Sequence, residues 1–68
     1  MHSINEKLAM RLKRLREHRG FTQQQLAKKS GMSHGYLARL ELGMHDPSLS
    51  TLAKLAKALR VPVTTLLK

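Results

Sequence analysis

The chain carries 68 residues, with 13 Lys and Arg against four Asp and Glu, for a formal charge of +9. Lacking cysteine, it can form neither a disulfide framework nor a thiolate zinc site. No run approaches the ~18 apolar residues of a membrane-spanning helix, so the cation excess points to polyanions, nucleic acid ahead of an anionic membrane surface.

Plentiful Leu and Ala beside one Phe and one Tyr predict an all-α bundle, a single domain over residues 1–68. That length is near the lower limit for folding without crosslinks. The first helix is expected from Asn5 to Arg19, where Leu8, Leu12 and Leu15 recur at helical spacing. Lys7, Arg11, Lys13, Arg14, Arg16 and Arg19 surround that stripe. The segment is too charged for a secretory signal, and Glu6 and Glu17 argue against a transit peptide. Cytoplasm or nucleoid is the expected location. Gly20 closes the helix, and Phe21 is placed to staple against Leu26.

The stretch Thr22 to Glu41, TQQQLAKKSGMSHGYLARLE, reads as two short helices meeting at a glycine. Thr22 caps a second helix from Gln23 to Lys29, with Leu26 and Ala27 facing inward. Gly31 stops it, because glycine takes a left-handed conformation at little cost. Met32 is read as a buried hinge and Ser33 as the cap of a third helix, His34 to Leu42. Leu37 and Leu40 define its inner side. Projected at about 100° per residue, His34, Gly35, Ala38 and Arg39 gather opposite. A core-only helix has no need of such a flank, and a helix–turn–helix of this shape lays its second helix in the DNA major groove.

Gly43 ends the third helix, and Pro47 keeps Asp46 out of helical geometry. Ser48 caps a fourth helix from Leu49 to Leu59, with Leu52, Leu55, Ala56 and Leu59 inward. Pro62 suits the first turn of a short fifth helix ending with Leu66 and Leu67.

The ordered motifs carry a resemblance. They are Leu12-x-x-Leu15-Arg16, Arg19-Gly20-Phe21-Thr22-Gln23, Leu26-Ala27, Gly31-Met32-Ser33 and Leu37-x-Arg39-Leu40-Glu41-x-Gly43. Pro47-Ser48-Leu49-x-Thr51-Leu52-x-Lys54-Leu55-Ala56-x-Ala58-Leu59 completes the series. From Leu8 to Leu67 the chain resembles the lambdoid phage repressor and Cro-like (Xre-type) helix–turn–helix family. The resemblance implies a five-helix lambda-repressor-like domain and a bacterial or phage transcriptional regulator, most readily a repressor, that reads double-stranded DNA. It implies a palindromic operator and a homodimer joined around Val61, Val63 and Leu67. It puts Thr22 and Gln23 on the phosphate backbone and pairs Arg16 with Glu41.

Among candidate contacts, the Arg39 guanidinium can hold guanine O6 and N7 bidentately; the competing reading is a phosphate-bound or solvated arginine. His34, at the first helical position, can donate, accept or carry charge, or simply be solvated. Gly35 departs from the family, which usually places a side chain there. At roughly 1 kcal/mol against alanine, it either lets the backbone approach bases or is tolerated near a helix start. Ala38 can at most touch a thymine methyl.

The Tyr36 ring is expected against the second helix, with its hydroxyl toward water or phosphate. Ser33 can add a phosphate contact to its capping role, and His45 lies in the loop expected to flank the DNA backbone. His34 and His45 have no companions at metal-ligand spacing, and no cofactor is expected. No nucleophile and base set or glycine-rich phosphate cradle can be assembled, which argues against an enzyme. The alternative is an antitoxin-like or coactivator-like interaction module holding a toxin or other protein, a reading that Gly35 and Ala38 keep open.

Overall fold

A computed structural model describes residues 4–67 and forms five helices. These are α1 (Ile4–His18), α2 (Gln23–Ser30), α3 (His34–Glu41), α4 (Leu49–Leu59) and α5 (Val63–Leu67). No strand occurs among the described residues. The architecture is all-α with five helices, as the sequence implied.

Side-chain caps set the helix starts. The Thr22 hydroxyl accepts from the Gln25 amide at 3.1 Å, and the Gln25 side chain accepts from the Thr22 amide at 2.8 Å. This reciprocal box satisfies two amides that a helix start leaves without partners. Ser33 accepts from Tyr36 N, and Ser48 from Thr51 N. Gly31, at φ 73°, lets Met32 N reach back to Ala27 O at 2.9 Å. That reversal aims the chain from α2 into α3.

Several expected boundaries move. The first helix ends at His18, leaving Arg19 in the turn. α2 gains Ser30, whose hydroxyl donates to Leu26 O at 2.6 Å and so is buried inside its own helix. α3 stops at Glu41, with Leu42 as an exposed cap. Pro62 sits just before α5 and accepts from Thr65 N.

Six leucines are fully buried: Leu12, Leu26, Leu37, Leu55, Leu59 and Leu66. Every helix supplies at least one, and each buried leucine is worth about 1.5–3 kcal/mol of transfer free energy. On α1 the inward row is Leu8, Leu12 and Arg16, at four-residue steps. Leu15 lies off that row and is half-buried. Met32, expected as a buried hinge, is likewise only half-buried, because the turn holding it lies at the molecular edge. Two of the faces this core leaves free belong to α3 and α5.

Candidate nucleic-acid interface

α3 packs on α1 and α2. Leu37 and Leu40 fill its inner side, while His34, Gly35 and Arg39 stay exposed and Ala38 is half-buried at the border. A helix with its side chains is about 10–12 Å across, which fits a major groove about 12 Å wide.

The rod is braced by a charge. Arg16 Nε donates to Glu41 Oε2 at 2.7 Å and Nη2 donates to Oε1 at 3.0 Å, a bidentate pair whose side chains are only 10% and 3% exposed. Arg16 Nη1 donates to Phe21 O at 2.8 Å, tying the α1–α2 turn into the same knot. The hydrogen bond to Glu41 holds the Arg16 guanidinium above its usual pKa; burial opposes this, and the charges of Glu41 and Glu17 add to it.

Gln23 extends the knot outward. Its Nε2 donates to Glu41 Oε1 at 3.0 Å, and its Oε1 lies 3.1 Å from His34 Nε2. Glu41 accepts only, so the amide orientation is fixed and Oε1 faces the ring. His34 Nε2 therefore carries the proton, leaving Nδ1 as the other polar atom of the ring. Buried Arg16 and exposed His34 are thus joined through Glu41 and Gln23.

A second group forms at the far end of α3. Arg39 Nε donates to His45 Nε2 at 3.2 Å. The Tyr36 and His45 rings stack with centroids 5.1 Å apart and planes 25° from parallel. The expectation that Tyr36 packs against the second helix is therefore incomplete: the half-buried ring touches the core and also stacks on the loop after α3.

The structure thus brings Thr22, Gln23, Ser33, His34, Gly35, Tyr36, Arg39 and His45 onto α3, its two flanking turns and the start of α2. Val61, Val63 and Leu67 belong elsewhere, on α5 and its lead-in, which packs on α4 and α1. Val61 and Val63 are half-buried and Leu67 is exposed. Sequence reasoning missed the Gln23 bridge and the Arg39–His45 contact. For Gln23 the signal was available, since a polar residue opening α2 faces the residue opening α3. The contact with His45 depends on the path of an irregular loop, and no periodicity reports that.

The helix-turn-helix (HTH_3) family matches residues 12–66. The chain is 42% identical over 59 residues to the immunity repressor protein of Bacillus phage phi105, an alignment covering 87% of this chain and 41% of the repressor. The restriction-modification controller protein C.AhdI from Aeromonas hydrophila superposes with a TM-score of 0.90 at 35% identity, over 91% of this chain and 94% of that one. SinR, the master regulator for biofilm formation solved in complex with DNA, superposes at 0.86 with 34% identity, over 90% and 98%. These matches define a helix–turn–helix protein of the class found in transcriptional regulators.

The chain belongs to the helix-turn-helix (HTH_3, Xre-type) family. It spans about two fifths of the length of the phage repressor it matches.

Proposed function

We propose that this domain is a sequence-specific, double-stranded DNA-binding transcriptional regulator, most readily a repressor, with α3 as its reading helix. The observation that carries this reading is the bare flank of α3. His34, Gly35 and Arg39 are exposed, on a helix fixed from behind by two leucines and a buried bidentate ion pair. Charge supplies the attraction and the flank supplies the readout. The starts of α2 and α3 lie side by side, with Gln23 Oε1 3.1 Å from His34 Nε2, and helix-start amides attract phosphate. A related domain, SinR, was solved on DNA.

Two copies joined through α5, with Val61, Val63 and exposed Leu67 at the seam, would present two reading helices to half-sites about 34 Å apart. Among the described residues no helix is long and apolar enough to cross a membrane, and the reading places the protein on the nucleoid in the cytoplasm. The relatives carry regulator and repressor names, not enzyme names, in keeping with a binding role.

The test is a titration on two duplexes, a site recovered by selection and a random one. Arg39→Ala is expected to lose about 1–3 kcal/mol on the selected site and much less on the random one. Wild-type affinity falls by about 0.9 log units per log unit of salt for each phosphate neutralised. Equal losses on both duplexes would reject base reading by Arg39.

A further inference from the structure

Gly35 and His45 have separate peculiarities that share one explanation. Gly35 is a glycine inside an eight-residue helix, where alanine is the better helix former. A Cβ built there meets only Arg39 Nη2 at 3.8 Å and Nη1 at 3.9 Å. The guanidinium of Arg39 therefore lies folded back along the helix over the space where a side chain at 35 would stand. His45 fixes that fold. Its Nε2 accepts from Arg39 Nε, and its ring is held in place by stacking on Tyr36.

We infer that His45 is a positioning residue for base recognition: through its Nε2 lone pair it locks Arg39 over Gly35 and leaves both terminal nitrogens of the guanidinium for a single base. The inference rests on the reading of α3 as a DNA-reading helix and deepens it. Arginine has five donors. The His45 contact consumes only the Nε donor and leaves Nη1 and Nη2, the end-on pair that spans the O6 and N7 acceptors of guanine. A free arginine would have to give up rotamer freedom on binding, whereas a locked one has already done so. Gly35 keeps the lock open, since a long side chain at that position would compete for the place of the guanidinium.

The device requires a neutral ring. Arg39 Nε can only donate, so His45 Nε2 must be unprotonated, with the ring proton on Nδ1. Protonation removes the acceptor and sets a second cation against the guanidinium. The groups around the ring are Arg39 and Tyr36 from α3, its chain neighbour Asp46, and Asn5 and Leu8 from α1, with Glu6 of α1 passing beside Gly43. Asp46 and Glu6 carry negative charge, but the group in direct hydrogen bond is the arginine.

The experiment measures the ratio of affinities for the selected duplex over a random duplex, in the intact chain. His45→Ala is expected to lower that ratio about tenfold. His45→Gln, whose Oε1 reaches about as far as Nε2, is expected to restore most of it. Acidification should lower the ratio more in wild type than in His45→Gln. Because both proteins contain His34, any contribution of that ring cancels in the comparison.

A ratio unchanged in His45→Ala overturns the inference while leaving the DNA-reading proposal standing. Loss in both variants also overturns it, because stacking and not the lone pair would then be responsible. A wild-type protein that prefers no duplex removes the DNA-reading proposal itself, and this inference with it.

Discussion

Two exposed residues of α3, His34 and Arg39, are held by opposite means. At the N-terminal end, His34 is reached from the core through Gln23, Glu41 and Arg16, a chain that starts from a buried charge. At the C-terminal end, Arg39 is held from outside, by a neutral ring on an irregular loop. The first arrangement makes the reading edge inseparable from the fold, because the carboxylate that orients Gln23 also docks α3 on α1. The second can be altered with little effect on the core, since both Arg39 and the contact it makes are exposed or nearly so. Rigidity and adjustability sit within one short helix.

The contrast breaks most sharply at the buried charge. Glu41→Ala leaves the Arg16 guanidinium buried without a counter-charge and is expected to cost about 3–5 kcal/mol, read from a denaturant or thermal unfolding curve. With Arg16 held above its usual pKa, the pair's contribution stays full from neutral pH up to the range of a free guanidinium. On the alkaline side it is lost only as pH climbs through the still higher folded value, so ordinary alkaline buffers should not reproduce the Glu41→Ala loss. A cost under 1 kcal/mol would show that the pair is no brace.

Gln23→Ala is the intermediate case. It removes one hydrogen bond to a charged acceptor while the Arg16–Glu41 pair persists, so the stability cost should be about 1.5–3 kcal/mol at most. Its distinguishing result is positional: in nuclear magnetic resonance spectra the His34 ring resonances should shift while those of His45 stay put. Shifts at both rings would mean that the two ends of α3 are coupled and the contrast is false.

Gly35→Ala is the smallest change and sharpens the other end. The added Cβ makes ordinary contact with the guanidinium at 3.8 Å, and the helix gains up to about 1 kcal/mol from alanine's propensity. A rise in melting temperature is expected. A fall would mean that the guanidinium packs more tightly over the helix than those distances indicate.

Much of this was legible in the chain. The caps at Thr22, Ser33 and Ser48 could be read because Ser and Thr before an apolar-periodic run have one strong local use. The leucine rows could be read because helical burial repeats every three or four residues. The pairing of Arg16 with Glu41 came from the family resemblance; the four-residue steps Leu8, Leu12, Arg16 put Arg16 on the inward row, but nothing in that spacing names its partner. The Ser30 hydroxyl, spent within its own helix, gave no signal. The hold of His45 on Arg39 was likewise invisible, because it is fixed by how the turn and loop after Glu41 bring His45 back to the helix.

The central claim is that the flank of α3 reads bases, and selection of binding sites from random duplex DNA, run in parallel with wild type and Arg39→Ala, tests it most directly. The account predicts a wild-type palindrome with half-sites about one helical turn apart, including a guanine in each half that Arg39→Ala ceases to enrich. A pool that stays random with the wild-type protein, or an identical motif recovered by both proteins, would contradict it.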